Sequence, residues 1–410
     1  MHKDKIAQWR EHFPIVNQCV YLDHAFAGPL SRDAADAVQR ATEAHLLGAS
    51  RTFDGLMSEC ENVRVAFASF IGTRHEEVAI LNTTSAAISA VANALEWKPG
   101  QSVVVPSVEY LSNLYPWLNL QRSGVRVRRV PVRNGRISVD DMQAACDRHT
   151  RVMAISWVQF TNGFRADIEA LGEFCRMRGI LFVVDGNHAA GVLNIRLADL
   201  PIDVFVTQSF KWLMGPYNVS WLYVRGDLIE QMRPVAVGPL STAPNPSFIQ
   251  RDFEPRSDAA RFETGVPNYA GIIGVGASLA LLENVGVAEI EARALDHSDY
   301  LAEGLSSRGY TVLSPRDRLG ERSSILLFRH PEAASSPLPS YPASTGTTGN
   351  DDPVQARGLD RRGHDPWHAA LLRRLIDANI IVGMREGSIR VSPHFYNTTE
   401  ELDSFLEALP

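Results

Sequence analysis

Cysteine is scarce in this chain and badly placed for any framework. Only Cys19, Cys60, Cys146 and Cys175 occur among 410 residues, and none stands between 176 and 410. Their spacing suits neither zinc ligation nor a set of disulfides, so no metal centre is expected. A reduced, cytoplasmic protein is the simplest expectation. Positive charge is in deficit as well: 40 Lys and Arg face 47 Asp and Glu, a net charge of −7. That balance argues against a nucleic-acid partner, which needs a basic face. No run reaches the roughly 18 apolar residues of a membrane span. The charged start MHKDKIAQWREHF lacks the apolar segment of a signal peptide. What the chain does have is core-forming material. With 45% hydrophobic and 21% charged residues, it can build a large and a small domain, and wholesale disorder is not expected.

The chain is organised around 203–225, DVFVTQSFKWLMGPYNVSWLYVR. Val204-Phe205-Val206 is an apolar strand, Gly215-Pro216 a turn, and Val219 to Val224 a second strand. Between them Lys211 is flanked by Phe210 and Trp212. Most lysines are solvated, and ammonium groups are seldom buried unless paired or chemically used. A lysine desolvated by aromatic walls has a lowered pKa and becomes a nucleophile able to form a Schiff base. Upstream, the apolar run Gly179 to Val184 ends at Asp185. Such a run fits a strand buried on both faces of a parallel sheet. An acid at its carboxyl end sits where these sheets bind ligands.

From Glu77 the chain alternates in βα fashion. Val78 to Leu81 is a strand, and Asn82-Thr83-Thr84-Ser85 opens a helix. Hydroxyls and free N–H groups at a helix start make an anion site; the plainer alternative is an ordinary N-cap. Beside Lys211 and Asp185, a phosphate cradle is preferred. Further strands are expected at 102–106, 125–132 and 152–157. Residues 331–364 are rich in Pro, Ser, Thr and Gly and read as a mobile loop or insertion. Thr398 with Glu401 forms a capping box for a last helix.

VVDGNHAAG, then a strand, then FKWLMGPYNVSWLYV resembles the class V aminotransferase family of pyridoxal-phosphate (PLP) enzymes. That family includes cysteine desulfurases, selenocysteine lyases, kynureninases and isopenicillin-N-epimerase-like proteins. YLDHAFAGPL near the start, LNTTSAAI at 81–88 and IRVSPHFYNT near the end are similar to its landmarks and stand in its order. The resemblance implies an α/β, fold-type I architecture. A large domain (21–265, after a segment 1–20) would carry a mostly parallel seven-stranded sheet, and 266–410 would form a small α/β domain. It implies pyridoxal 5'-phosphate, an amino-acid substrate, and a homodimer with sites at the interface.

Lys211 would then hold the cofactor and later act as base for the α-proton. Asp185 would pair with the pyridine nitrogen, and the adjacent pyridinium would depress the acid's own pKa. His188, where desulfurases have glutamine, would touch the phenolic oxygen or relay a proton. Thr83, Thr84 and Ser85 would hold the phosphate. Tyr110 stands where relatives often place histidine. It would stack on the ring or serve as a core aromatic, and it is no proton carrier near pH 7. Asn162 would lie near the cofactor and substrate, or else hold a turn before Gly163. His24 would line the substrate, or else be a surface-loop histidine. Arg390 would fork onto the substrate α-carboxylate, or else form a structural salt bridge.

Three departures from the family pattern matter. Phe210 and Gln208 replace phosphate-binding residues, so either Gln208 or Ser209 serves instead or the contact is lost. Val266 lacks the hydroxyl of the family's cross-subunit threonine, with Thr264 as a substitute. The 331–364 segment lies where desulfurases carry their nucleophilic cysteine, and without a thiol that persulfide route is excluded. The expected reaction is β-elimination of a C–S bond in a cysteine conjugate, in specialised metabolism. Transamination, epimerisation, a decarboxylating deamination and a non-catalytic PLP-fold binding protein remain alternatives.

Overall fold

The βα alternation becomes one sheet. The computed structural model describes residues 3–243, 252–330 and 366–410. It opens with α1 (Lys3–Glu11), β1 (Val20–Tyr21), α2 (Arg32–Gly48) and α3 (Phe53–Phe70). Then come β2 (Val78–Leu81), α4 (Thr84–Ala94), β3 (Ser102–Pro106), α5 (Leu111–Asn119), β4 (Arg126–Val130) and α6 (Val139–Ala144). They are followed by β5 (Thr150–Ser156), α7 (Ile168–Arg178), β6 (Leu181–Asp185), β7 (Val204–Gln208) and β8 (Ser220–Val224). The strands β2 to β8 form a seven-stranded sheet in the order β2-β8-β7-β6-β5-β3-β4. Only β8 runs against its neighbours.

The apolar runs of the sequence are explained by two buried faces. In β7, Val204 and Val206 enter one core and Phe205 the other; in β3, Val103 and Val105 face away from Val104. The period of two puts alternate residues on opposite faces, so both must be apolar. At one edge Ser156 of β5 lies beside Asp185 of β6 and Asp185 beside Val206 of β7, which runs on to Gln208. The ligand edge of the sheet lies there.

The remaining elements are α8 (Gly226–Ile229), α9 (Tyr269–Val285), α10 (Val287–Ser307), β9 (Thr311–Val312), β10 (Leu326–Arg329) and α11 (Pro366–Asp377). The chain closes with β11 (Ile380–Ile381), β12 (Gly383–Arg385), β13 (Ser388–Val391) and α12 (Thr399–Ala408). A second, antiparallel sheet runs β12-β13-β10-β9 over its own core, which includes Leu301, Phe328, Ile389 and Phe405. β1 joins this C-terminal half: it pairs in parallel with β11, and Asp23 bridges to Ser392. The helix α9 instead lies against α2 and α3, where Ile272, Val275 and Leu279 enter the large-sheet core. The 331–364 segment lies outside the described residues. Among the described residues no single helix is long and apolar enough to cross a membrane.

Candidate active site at the carboxyl edge of the large sheet

The return from β7 to β8 fixes Lys211. Met214 N–H donates to the Lys211 carbonyl at 3.0 Å and Gly215 N–H to that of Ser209 at 2.9 Å. Met214 and Asn218 adopt left-handed backbone with φ of 50° and 64°. For methionine this is strain on the order of 1 kcal/mol, held by the surrounding bonds. The 26–28 loop clamps the turn from outside. Gly28 N–H donates to Phe210 at 2.8 Å, and a Cβ at Gly28 would lie 2.1 Å from the Lys211 carbonyl oxygen. Any larger residue there would displace the lysine backbone.

The lysine side chain is 9% exposed, and its Nζ lies 3.3 Å from His188 Nε2. The other ring nitrogen of His188, Nδ1, accepts from Trp212 Nε1–H at 3.1 Å. An indole N–H can only donate, so neutral His188 carries its proton on Nε2, toward Lys211. Lys211 must then offer its lone pair, which requires the amine form. Tyr110 covers the amine, with Nζ 5.7 Å from its ring centroid, and Phe160 meets Tyr110 edge-on at 5.1 Å.

Electrostatics agree with this arrangement. Burial drives the Lys211 pKa down; Asp185 opposes it, while Arg390 and Arg385 add to it. Burial drives Asp185 up, the Asn187 N–H holds it down, and Glu109 pushes it further up. Burial, then Lys211, Arg390 and Arg385 keep His188 well below the usual imidazole range, hence neutral. A cationic ring nitrogen placed against Asp185 would reverse the acid's shift.

The helix start at α4 is tied to this group. Thr83 caps the helix through Ala86 N–H at 3.1 Å, Ser85 Oγ meets Ser112 Oγ at 2.9 Å, and buried Thr84 Oγ1 lies 3.1 Å from the Asn187 amide nitrogen. Asn187 in turn donates its backbone N–H to Asp185 at 2.9 Å and accepts from Gln208 N–H at 2.8 Å. One asparagine thus links the ends of β6 and β7 to the first turn of α4. With Ala86 N–H taken by the Thr83 hydroxyl, the amides of Thr84 and Ser85 are the first-turn donors without an intrahelical partner.

Arg390 is 1% exposed. It donates to the Phe160 carbonyl at 2.7 Å and to Asp23 Oδ1 at 3.2 Å, while its buried Nε has no partner among the described residues. The salt bridge and an unused donor coexist on one guanidinium. Other expected residues lie elsewhere. His24 is neither a surface residue nor open to a substrate: it is fully buried, with Nδ1 on the Ser392 carbonyl at 2.9 Å and Nε2 on Tyr396 Oη at 2.7 Å. The pairing of Asp23 with Ser392 draws it behind Trp212. Asn162 takes its turn role, donating to the Gly135 carbonyl at 2.7 Å and accepting from Phe164 N–H at 3.1 Å. Ser209 Oγ accepts from Trp221 Nε1–H at 2.9 Å inside the core. Thr264 is exposed and lines a groove of about 460 Å³ with Asn82 and Val266.

Two further residues of the site do not stand out in the sequence. Glu109 is buried and accepts from Ser156 N–H at 2.8 Å, Ser156 Oγ at 2.6 Å, Gln159 Nε2 at 2.9 Å and Asn113 Nδ2 at 2.9 Å. Gln159 keeps a buried Oε1 without a partner among the described residues. Their signal was an acid and an amide just past the ends of two apolar strands, β3 and β5.

A buried amine at the carboxyl edge of a mostly parallel sheet, with an acid at the end of a neighbouring strand and a helix start for an anion, defines a fold-type I PLP enzyme. The chain belongs to the class V aminotransferase family, whose model matches residues 20–405. It is 27% identical to a probable cysteine desulfurase of Methanothermobacter thermautotrophicus, over 98% of this chain and 96% of the relative. It is 25% identical to an uncharacterized aminotransferase, YcbU, of Bacillus subtilis, over 96% and 95%. Among solved structures, an apo cysteine desulfurase from Thermococcus onnurineus NA1 superposes with a TM-score of 0.81 at 23% identity, covering 98% and 96% of the two chains. A mutant of C-DES with glycine linked to the PLP cofactor superposes at 0.82 and 19%, covering 97% and 98%. The cofactor is pyridoxal 5'-phosphate, and the donor set fits it: a buried amine, a buried acid, a neutral imidazole N–H and a helix start with hydroxyls and free amides.

Proposed function

We propose that this chain is a C–S lyase that removes a sulfur-linked substituent from the β-carbon of a cysteine-type amino acid. One combination carries this reading: a complete α-carbon site around Lys211, in a chain whose curated relatives include cysteine desulfurases, with no cysteine after Cys175 to accept the sulfur. Sulfur then leaves as a free thiol rather than as an enzyme persulfide.

When bound, PLP supplies the electron sink that makes the α-proton acidic. Lys211 Nζ, held neutral, takes that proton. Asp185 would face the ring nitrogen and favour its protonated form. His188 presents Nε2–H as a fixed donor. The first turn of α4, with Thr83, Thr84 and Ser85, holds the phosphate. Tyr110 covers the open face, and Arg390 holds the α-carboxylate. The Cβ–S bond breaks with its electron pair on sulfur, and water releases pyruvate and ammonia from the remaining fragment. The reading includes a homodimer: Val266 is 62% exposed beside the start of α4, in the groove shared with Asn82 and Thr264. Exposed apolar groups at such a groove favour a covering subunit.

S-substituted cysteines, with products followed by mass spectrometry, test the reaction. Thiol, pyruvate and ammonia support it. A keto acid stoichiometric with pyridoxamine phosphate means an aminotransferase. Deuterium at the α-carbon without fragmentation means an epimerase, and carbon dioxide means decarboxylation.

A further inference from the structure

The β12–β13 hairpin carries a second arginine beside Arg390. Gly383 pairs with Arg390 and Arg385 with Ser388. Directly opposed residues and residues two apart share a face, so Arg385 and Arg390 lie on one face as diagonal neighbours. The turn between the strands has Glu386 and Gly387 at φ of 48° and 74°, the geometry of a two-residue hairpin that fixes this register. Between the arginines, Gly383 leaves room for Asp23: a Cβ there would lie 2.7 Å from Asp23 Oδ1.

The two cations are treated differently. Asp23 answers Arg390 at 3.2 Å. Arg385 has no carboxylate within ion-pair distance among the described residues. Its guanidinium donates to the Met384 carbonyl at 2.6 Å and lies 5.9 Å from the ring centroid of Phe26. Phe26 is 59% exposed and belongs to the loop whose Gly28 covers the Lys211 carbonyl. The charge of Arg385 also reaches the centre, lowering the proton affinity of Lys211, His188 and Arg390. A guanidinium in cation–π reach of an aromatic ring, with one nitrogen on a carbonyl, keeps its other N–H groups for an oxyanion.

We infer that Arg385 and Phe26 form a second anion subsite at the mouth of the Lys211 site, and that the substrate carries a carboxylate on its side chain as well as on its α-carbon. This rests on the amino-acid reading proposed above and narrows it to S-substituents that end in a carboxylate. Arg390, already neutralised by Asp23, takes the α-carboxylate within a site of little net charge. Arg385 supplies the charge that distinguishes a dianionic substrate from a neutral homologue.

Calorimetric titration of the PLP-loaded protein with glutarate and with pentanoate, which match in length, tests the subsite without turnover. Glutarate should bind at least about ten-fold tighter, as a bidentate charged contact allows. Arg385→Gln should remove most of that preference while weakening pentanoate far less, and Arg385→Lys should retain part of it. Equal binding of the two acids, or an Arg385→Gln protein that keeps the glutarate preference or weakens both acids alike, would overturn the inference. In parallel, S-(2-carboxyethyl)-cysteine should show a lower KM than S-propyl-cysteine. If neither conjugate reacts, the lyase reading fails, while the glutarate comparison still decides the subsite.

Discussion

Trp212 Nε1–H donates to His188 Nδ1 at 3.1 Å, on the opposite side of the imidazole from Lys211. The residue next to the reactive lysine therefore sets the tautomer of the histidine that faces it. Nε2–H is a donor by construction and cannot take a proton from an ammonium at Lys211. This bond accounts for a tryptophan at a position that packing alone could fill with leucine or phenylalanine.

Trp212→Phe keeps most of the buried volume and removes the donor. His188 Nδ1 is then left buried without a partner, a loss of about 1–3 kcal/mol. The variant should lower kcat by about ten-fold or more, since each 1.4 kcal/mol is a factor of ten. The specific readout is the ¹⁵N spectrum of His188 in the cofactor-free protein. Wild type should show a pure Nε2–H tautomer and the variant a mixture. An unchanged spectrum would leave Trp212 with packing alone.

Lys211 sets a pH dependence. Burial lowers its pKa, so the amine form, which reacts with the aldehyde of PLP, prevails from a lower pH than in an ordinary lysine. Capture of PLP by the cofactor-free protein should thus accelerate through neutral pH and level off well below the range of a solvated amine. Asp185→Asn removes the charge that favours the ammonium, so its midpoint should fall further. Lys211→Ala should capture nothing covalently, and borohydride followed by peptide mapping checks this. A midpoint near that of a free lysine would contradict the buried amine.

Much of this site was legible because its main residues end apolar runs. Asp185 closes β6, Lys211 follows β7, and the Thr83–Ser85 hydroxyls follow β2; strand periodicity locates each without knowledge of the fold. Loops lack that ruler. In Gln159-Phe160-Thr161-Asn162 nothing local says which residue faces inward; Gln159 is bound to Glu109, while Asn162 accepts from Phe164 N–H in a turn. The position of His24 is hidden for a different reason. Its burial comes from the pairing of the N-terminal segment with residues near 380 and 392, contacts too remote in sequence to infer. Arg385 was hidden likewise, since only the hairpin register sets it beside Arg390.

Asp185→Asn tests the ring-nitrogen role directly. Asparagine can still accept the Asn187 N–H, so the fold and much of the cofactor affinity should persist. Removing a preorganised charge from a water-poor site costs several kcal/mol of barrier, so kcat should fall by about a thousand-fold. Near-normal turnover would show that the acid is not paired with the ring.

Glu109→Gln addresses the acid that supports the site from behind. Its carboxylate accepts from the N–H and hydroxyl of Ser156 and from the amides of Asn113 and Gln159, four donors around two oxygens. Burial pushes its pKa up, and those donors offset part of that rise. A glutamine has one oxygen and one NH₂ group, so whichever way it turns, a donor faces donors. One or two buried hydrogen bonds are lost, about 1–3 kcal/mol each, and urea unfolding should register the loss. The functional consequence is separable from stability. Glu109 joins the loop of Gln159 and Phe160 to Asn113 in the first turn of α5, which Tyr110 precedes, so Tyr110 should loosen over Lys211. Glu109 also raises the pKa of Asp185 by repulsion; without its charge Asp185 ionises more readily. The Glu109→Gln protein should therefore be less stable, yet the pH at which Asp185 ionises, followed by its carboxyl ¹³C shift in the cofactor-free protein, should move down. If that pH stays where it is in the wild type, the two buried acids are not coupled, and Glu109 serves packing alone.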